Sequence, residues 1–206
     1  MNGQNYGFCF TFGNYIENIM TKRTFILLLF LVLAIASRFA ILAGPAWANF
    51  SPMGAMALFA GYYVKDKKHA VLFSLAALWI SNLLLNNLIY SSYFKGFSWG
   101  FSASQFGLFA AITLLGAWFS NKKANVFNVT LLNTLTSIGF FIVSNLFVWA
   151  FSNEVVYTKD FAGLSACYIN AIPFYPNSLY SHLLFGAIFF GGFEWLKLRD
   201  RALGSL

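Results

Sequence analysis

The sequence predicts an all-α membrane protein, with six transmembrane helices in one bundle and both termini in the cytoplasm. Of its 206 residues, 59% are hydrophobic and only 9% are charged, whereas an ordinary soluble domain has about 25% charged residues. This composition excludes a soluble globular domain and a disordered chain. The few charges stand in short groups between long apolar runs, and no segment alternates with the period of two that a barrel strand requires.

Six apolar runs approach the roughly 20 residues that a helix needs to cross a bilayer. They are Thr24–Leu42, Phe50–Val64, Ala70–Tyr90, Ser102–Phe119, Val126–Phe151 and Leu179–Leu198. The second run is short, and we expect it to span only if it extends back through Asn49 or tilts little. The fifth run is long and is expected to be tilted or broken.

The basic residues predict the orientation of these spans. Ten of the thirteen lie in alternate segments: Lys22, Arg23, Lys65, Lys67, Lys68, Lys122, Lys123, Lys197, Arg199 and Arg201. The positive-inside rule places those segments on the cytoplasmic side of a bacterial inner membrane. The chain then divides into an N-terminal segment 1–23, a membrane domain 24–198 and a tail 199–206.

The N-terminal region allows two interpretations. Met20 is followed by Lys22, Arg23 and an apolar run, which favours translation from Met20. A cleavable signal peptide is the alternative, because Ala46-Trp47-Ala48 has a small-x-small form. The first run is longer than the 7–15-residue core of a signal peptide and contains Arg38, so we expect an uncleaved first helix.

The segments on the predicted outer side are rich in aromatic residues. They comprise Gly44–Asn49, Ser91–Phe101 and Ser152–Ser178. Phe161–Asn177 is apolar enough to predict a half-helix or re-entrant cap over the bundle. Together the three segments favour a pocket that opens to the outside. An interfacial aromatic belt is the alternative, and it is preferred for Trp47, Tyr93 and Trp99 individually.

Polar residues inside the spans are the next candidates, since each is costly in lipid unless paired. Arg38 is the only full charge well inside a predicted span; it either snorkels to the headgroups or turns inward to bind an anionic group. Asn82 and Asn86 share one helix face. Thr130, Asn133, Ser137 and Ser144 form a stripe on the fifth run, with Asn145 beside it. Such residues either join neighbouring helices or line a pocket.

Several chemistries are absent from the sequence. It contains no P-loop, no H-E-x-x-H and no G-x-S-x-G motif, and two histidines with two cysteines do not make a convincing metal site. No series of acidic residues and histidines crosses the membrane, which disfavours a proton pump. The dispersed basic residues form no nucleic-acid-binding patch. We therefore predict no enzyme activity, no cofactor, no metal and no nucleic-acid partner.

Several stretches carry a resemblance to a known family. They are Asn49–Phe59, Leu78–Leu85, Ser144–Trp149, Gly163–Tyr168 and Ala171–Leu179. With Arg38, they resemble a bacterial family of small membrane proteins of unknown function, over roughly Arg38 to Phe190. The most specific motifs are N-F-S-P-x-G-A and I-P-F-x-x-N-S-L.

That family in turn resembles the S components of energy-coupling-factor vitamin transporters, which include solitary cobalamin transporters. The resemblance implies six helices, cytoplasmic termini and a substrate pocket capped by the outer loops. In the family an Asp commonly stands where this chain has Asn82. This departure puts in doubt any role that requires a negative charge at that position.

We therefore expect a protein that captures a small vitamin- or cofactor-like molecule in an outward-facing pocket and moves it inward. The expected substrate-binding residues are Arg38, Asn49, Asn82, Asn145, Trp149, Tyr168 and Asn170. Its partners would be the substrate, the lipid bilayer and an ATP-driven energising membrane module, unless it works by a solitary route. The alternative is an envelope scaffold or assembly protein with no transport activity. A membrane enzyme is disfavoured by the missing chemistry.

Overall fold

The computed structural model describes residues 25–200, and the regular structure in that range is entirely helical. Helix α1 covers residues 25–37 and continues as a 3₁₀ segment, Arg38–Ala43. The other helices are α2 Met53–Tyr63, α3 Lys67–Leu88, α4 Ala103–Phe119, α5 Val126–Phe151, α6 Phe161–Ala171, α7 Tyr175–Gly186 and α8 Gly192–Arg199. A π-helical segment, Ala187–Gly191, joins α7 to α8. The predictions about Met20, segment 1–23 and the end of the tail lie outside the described residues.

Four helical segments are long and apolar enough to cross a membrane. They are Phe25–Ala43, Lys67–Leu88, Val126–Phe151 and the nearly continuous Phe161–Arg199, while Ala103–Phe119 is a shorter apolar helix. These segments indicate a membrane protein and confirm the all-helical class that the composition predicts. Four of the six predicted runs match helical segments closely at their boundaries, whereas the last segment begins at Phe161, well before the predicted Leu179.

The second predicted span, Phe50–Val64, is wrong in its length. Helix α2 has 11 residues and is therefore about 16 Å long, whereas a bilayer core is about 30 Å thick. Every residue from Met53 to Gly61 is buried. Helix α2 is thus a short helix at the centre of the bundle, and its apolar character reflects contact with other helices.

Glycines bring α2 and α4 into backbone contact. A Cβ atom at Gly61 would lie 1.8 Å from the carbonyl oxygen of Thr113, and one at Gly116 would lie 2.3 Å from that of Leu58. Real Cβ atoms do not approach so closely, so both positions require glycine. This contact fixes the central helix against α4.

Helices α1 to α5 run in alternating directions and α6 to α8 form one further helical segment, so the connecting segments gather at two ends of the bundle. The basic end carries segments 64–66 and 120–125 and the C-terminus of α8; there the Tyr62 hydroxyl donates to the carbonyl of Lys122. The cavity end carries segments 44–52, 89–102 and 152–160. Phe59 packs on Phe189 and Phe190, with ring centroids 6.0 and 5.6 Å apart, in the half nearer the basic end.

The predicted cap, Phe161–Asn177, is helical but lies along α5. The hydroxyl of Tyr168 on α6 donates to the carbonyl of Ile142 on α5 (2.6 Å), and Cys167 Sγ lies 3.5 Å from the carbonyl of Asn145. Pro173 and Pro176 lie in the first turns of the 3₁₀ segment Ile172–Phe174 and of α7, which join α6 to α7. Helix α6 therefore extends the last helical segment along α5, which differs from a cap placed over the bundle.

Candidate functional site

A cavity of about 170 Å³ lies inside the cavity end of the bundle. We call it the Arg38 cavity. Its wall is formed by the end of α1, segment 44–52, the start of α2 and residues of α3, α4, α5 and α7. Among the described residues, Arg38 is the only Lys or Arg that lines it, and no acidic side chain does. The cavity therefore presents one fixed positive charge among polar and apolar groups.

Arg38 turns inward and binds neutral oxygens. Its Nη1 atom donates to Ser81 Oγ and to Asn82 Oδ1, each at 2.8 Å. Among residues 25–200, no carboxylate forms an ion pair with it. Of the two sequence-based alternatives, snorkelling and an inward position, the structure shows the inward one. Its charge is solvated by two neutral groups and not cancelled by an acid.

Asn82 connects Arg38 to two other elements of the cavity end. Its Nδ2 atom donates to the carbonyl of Gly100 (3.2 Å) and to Oε1 of Gln105 on α4 (2.9 Å). Gly100 has φ +71°, and a Cβ there would lie 2.9 Å from the backbone nitrogen of Leu83. Glycine is needed at this position because the segment lies directly against α3.

Segment 89–102 is held on α3 by further amide side chains. The Asn87 side chain accepts from the backbone N–H of Ser98 (2.9 Å) and donates to the Ser98 carbonyl (2.8 Å). Asn86 Nδ2 donates to Ser98 Oγ (3.1 Å), and Trp79 Nε1 donates to the carbonyl of Trp99 (2.9 Å). The predicted shared face of Asn82 and Asn86 thus binds a connecting segment as well as neighbouring helices.

Segment 44–52 is held by the start of α7. Asn177 Nδ2 donates to the carbonyls of Ala46 (2.6 Å) and Ala48 (2.9 Å), and Ser181 Oγ donates to the carbonyl of Ser51 (2.9 Å). Asn49 has φ +63°, a left-handed conformation that asparagine tolerates better than most residues. The asparagine of the I-P-F-x-x-N-S-L motif therefore bonds the chain directly before the N-F-S-P segment, and Ser181 bonds that segment itself.

His182 forms part of the cavity wall opposite α2. Its Nδ1 atom lies 2.8 Å from the carbonyl of Ser178, and because a carbonyl only accepts, Nδ1 carries the proton. Nε2 is buried and has no hydrogen-bond partner among residues 25–200. It lies against Gly54, where a Cβ atom would be 2.1 Å away. Gly54 thus makes the space that the imidazole occupies.

The seven predicted site residues fall into three groups. Arg38 and Asn49 line the cavity, and Asn82 holds Arg38. Three others lie at the contact between α5 and the segment after it: Asn145 donates to the carbonyl of Phe141, Trp149 to that of Thr158 and Tyr168 to that of Ile142. Asn170 is exposed. The structure therefore brings three of the seven together.

Sequence reasoning missed several residues of the cavity wall, among them Gln105 and His182. Gln105 lies at the start of α4, directly after an aromatic segment, and nothing in its spacing distinguishes it from an interfacial residue. His182 is a lone histidine early in the last apolar run, and such a residue is more often a structural hydrogen-bond donor than a ligand. Among the described residues, no group of three His, Cys, Asp or Glu side chains could hold a metal ion. The cavity wall therefore offers hydrogen-bond donors, a cation and apolar surface for binding a molecule.

Comparison with known proteins gives one match. A search of curated proteins and a search of solved structures each find no match. A family model described as a family of unknown function, DUF6580, matches residues 18–203. This range covers nearly the whole chain, including every residue of the Arg38 cavity. The chain therefore belongs to the DUF6580 family of unknown function.

Proposed function

We propose that this protein is a membrane substrate-binding and uptake protein, and not an enzyme, which captures a small molecule in the Arg38 cavity. The observation that carries the proposal is an inward-facing guanidinium, held by neutral oxygens 2.8 Å away, in the wall of an internal cavity. An intramembrane charge of this kind is costly, and such charges usually mark a substrate or ion pathway. A purely structural Arg would be expected to pair with an acid.

The proposal includes an orientation. Lys65, Lys67, Lys68, Lys122, Lys123, Lys197 and Arg199 all lie at the basic end, and a cytoplasmic position for them satisfies the positive-inside rule. The Arg38 cavity then lies near the outer face of a bacterial inner membrane. In a six-pass arrangement α2 and α4 would be the second and fourth passes of the chain through the membrane. Helix α2 alone is too short to reach both surfaces.

The size of the cavity limits what it can hold in this conformation. A cavity of about 150 Å³ accommodates a molecule the size of benzene, and the Arg38 cavity measures about 170 Å³. Sites for larger ligands are about 300–1,000 Å³. A vitamin-sized substrate would therefore need segments 44–52 and 89–102 to move, and these are the segments that single amide side chains attach to the helices.

Uptake requires a source of free energy or a downhill route. We propose an ATP-driven energising membrane module as the partner, by analogy with S components, or a solitary facilitated route. The described residues of α1 expose several large apolar side chains, such as Leu28 and Val32. Lipid or a partner helix would cover such a surface in the membrane.

The test is native mass spectrometry of the purified protein, followed by a thermal-shift assay with vitamins and cofactors. A ligand at 100 times its Kd stabilises the folded state by about 2.7 kcal/mol. A co-purified small molecule, or a stabilising compound whose effect is lost in Arg38→Gln, is the expected result. Retention of the full effect in Arg38→Gln would contradict the site. A protein partner with no ligand would favour the scaffold alternative.

A further inference from the structure

We propose that the ligand is an amphiphilic anion, with its charged oxygens at Arg38 and an apolar chain in a cleft between α4 and α5. This inference rests on the proposed function and specifies the class of substrate. It follows from three observations: the donors that line the Arg38 cavity, a second space beside it, and the two side chains that the two spaces share.

The polar side chains around Arg38 are arranged as hydrogen-bond donors. Asn82 Oδ1 accepts a hydrogen bond from Arg38, and Asn82 Nδ2 donates one to Oε1 of Gln105. Because the Gln105 oxygen is occupied, its amide nitrogen is left to donate, and no acceptor for it occurs among the described residues. Arg38 and Gln105 thus present a cation and a neutral donor. Carboxylate or phosphate oxygens are the groups that such a pair binds most strongly.

A cleft of about 690 Å³ lies between the cavity-end halves of α4 and α5. Its walls combine a few serines with large apolar side chains, among them Leu108, Phe147, Val148 and Phe151. Within the part of the chain that the structure describes, no charged side chain lines the cleft. It therefore suits an alkyl or isoprenoid chain better than a second polar group.

The cleft and the Arg38 cavity are neighbours. Gln105 and Phe140 line both of them, so one pair of side chains separates the two spaces. A single molecule that passes this pair can hold an anionic group at Arg38 and an apolar chain in the cleft. The small cavity and the larger cleft together give the volume that the cavity alone lacks.

Charge complementarity selects this occupant over a neutral one. A neutral molecule in the cavity would leave the Arg38 charge uncancelled, while an anion would complete an ion pair that residues 25–200 do not provide. A free inorganic anion would satisfy Arg38 but would leave the cleft unused. Each methylene buried in the cleft adds about fourfold in affinity, so the apolar chain gives the larger part of the binding energy.

The headgroup half is tested with hexyl phosphate, inorganic phosphate and hexanol, using isothermal titration of the purified protein in a neutral maltoside detergent. We expect hexyl phosphate to bind at least tenfold more tightly than either inorganic phosphate or hexanol. Arg38→Gln should weaken hexyl phosphate at least tenfold. Gln105→Glu is the second variant: Gln105 is exposed and a Glu suits the first turn of a helix, so the fold is kept while the anion is repelled.

The proposed binding of the ligand's apolar chain in the cleft is tested by filling the cleft with a larger side chain. Ser144→Phe places a ring in the cleft, because Ser144 lines it, and hexyl phosphate should then bind no better than inorganic phosphate. Leu135→Phe is the matched control, since Leu135 is on the same helix and 51% exposed, and it should leave the affinity unchanged. Equal binding of inorganic and hexyl phosphate by the wild type would overturn the role of the cleft.

The two proposals fail separately. If a neutral vitamin binds in an Arg38-dependent way while hexyl phosphate does not bind, the uptake proposal stands and the amphiphilic anion is wrong. If hexanol binds as tightly as hexyl phosphate, the anionic headgroup is wrong. If no compound in either panel binds the folded protein, both proposals are contradicted.

Discussion

The two ends of the bundle each hold a charged side chain within a helix, and the partners of that charge differ between the two ends. At the basic end, Glu194 accepts a hydrogen bond from the Tyr63 hydroxyl (2.6 Å) and pairs with Lys197 (3.0 Å). At the cavity end, the partners of Arg38 among residues 25–200 are neutral oxygens. The described residues thus pair the charge at the basic end but not the charge at the cavity end. On the proposal above, an external anion pairs with Arg38.

The ends also differ in how they are held together. The half nearer the basic end contains a buried aromatic cluster around Phe59 and the direct backbone contact at Gly61 and Gly116. At the cavity end, side-chain hydrogen bonds such as those of Asn87 and Asn177 fix the connecting segments, together with the close contact of Gly100 with α3. Close packing resists displacement, whereas a few hydrogen bonds can break and re-form. The cavity end is thus the part suited to opening for a ligand.

The largest effect on stability is expected from adding a side chain within the contact between α2 and α4. Gly61→Ala places a Cβ atom 1.8 Å from the carbonyl oxygen of Thr113, which forces the two backbones apart. Overpacking of this kind costs about 1–3 kcal/mol or more. We expect a clearly lower Tm in detergent, with hexyl phosphate affinity per folded molecule retained because Arg38 lies at the other end.

Gly139→Ala is the control for this change. Gly139 lies within α5, and a Cβ atom there meets nothing within 4 Å. Alanine should leave the Tm unchanged or raise it, since glycine costs about 1 kcal/mol relative to alanine in a helix. Equal Tm losses in Gly61→Ala and Gly139→Ala would show that the close contact is not the cause.

The next effect is expected from Asn177→Ala at the cavity end. The change removes donors to the carbonyls of Ala46 and Ala48, and each lost bond costs about 0.5–1.5 kcal/mol. Limited proteolysis should cut faster within segment 44–52 than in the wild type. Asn170→Ala, at an exposed position, should digest as the wild type does. Unchanged cleavage in Asn177→Ala would contradict the attachment of segment 44–52 by Asn177.

A smaller effect is expected at the paired charge of the basic end. Glu194→Gln removes the ion pair with Lys197 but keeps an oxygen that can accept from Tyr63. The two side chains are about one third exposed, 37% and 30%, so solvent screens the pair and it contributes about 0–1 kcal/mol. The Tm should change little. A loss comparable to that in Gly61→Ala would mean that this pair holds the basic end together.

The smallest effect is a pH dependence at the start of α6. The hydroxyl of Thr158 and the backbone N–H of Gly163 bond the Asp160 carboxylate and lower its pKa. A carboxylate with a lowered pKa in the folded state stabilises it above the unfolded pKa near 3.9, and this contribution disappears as the pH falls through the folded pKa. Amide exchange at Gly163, corrected for intrinsic rates, should be faster at pH 3 than at pH 5. Asp160→Asn, which keeps the cap, should lose this dependence.

Much of the fold could be predicted from composition and hydropathy. All six runs overlap helices, and four of them overlap segments long and apolar enough to cross a membrane. Lipid requires such long apolar segments, whose backbone groups are paired internally. Helix α2 misled the prediction because a central helix and a lipid-facing helix are both apolar, and hydropathy does not distinguish them. The sequence predicts a cap at α6 because Pro173 and Pro176 are typical of a bend in the chain. The two prolines do not indicate in which direction the chain turns.

The candidate site was harder to predict. Arg38 and Asn82 stood out because polar groups are rare in spans, and the structure joins them. Asn145 and Trp149 carried the same signal, yet they bond backbone carbonyls near α6. Residue type alone does not separate these two uses of an amide. Gln105 gave no signal because its role depends on which atom of Asn82 faces it.

The most direct test of the central claim is Asn82→Asp, measured for Tm and for hexyl phosphate binding. A carboxylate there would cancel the Arg38 charge within the chain, as Glu194 and Lys197 do at the basic end, and Gln105 could turn its amide to donate to it. We predict a folded protein whose Tm stays within a few degrees of the wild type and which no longer binds hexyl phosphate. Unchanged affinity for hexyl phosphate in Asn82→Asp would contradict the claim that the Arg38 charge awaits an external anion.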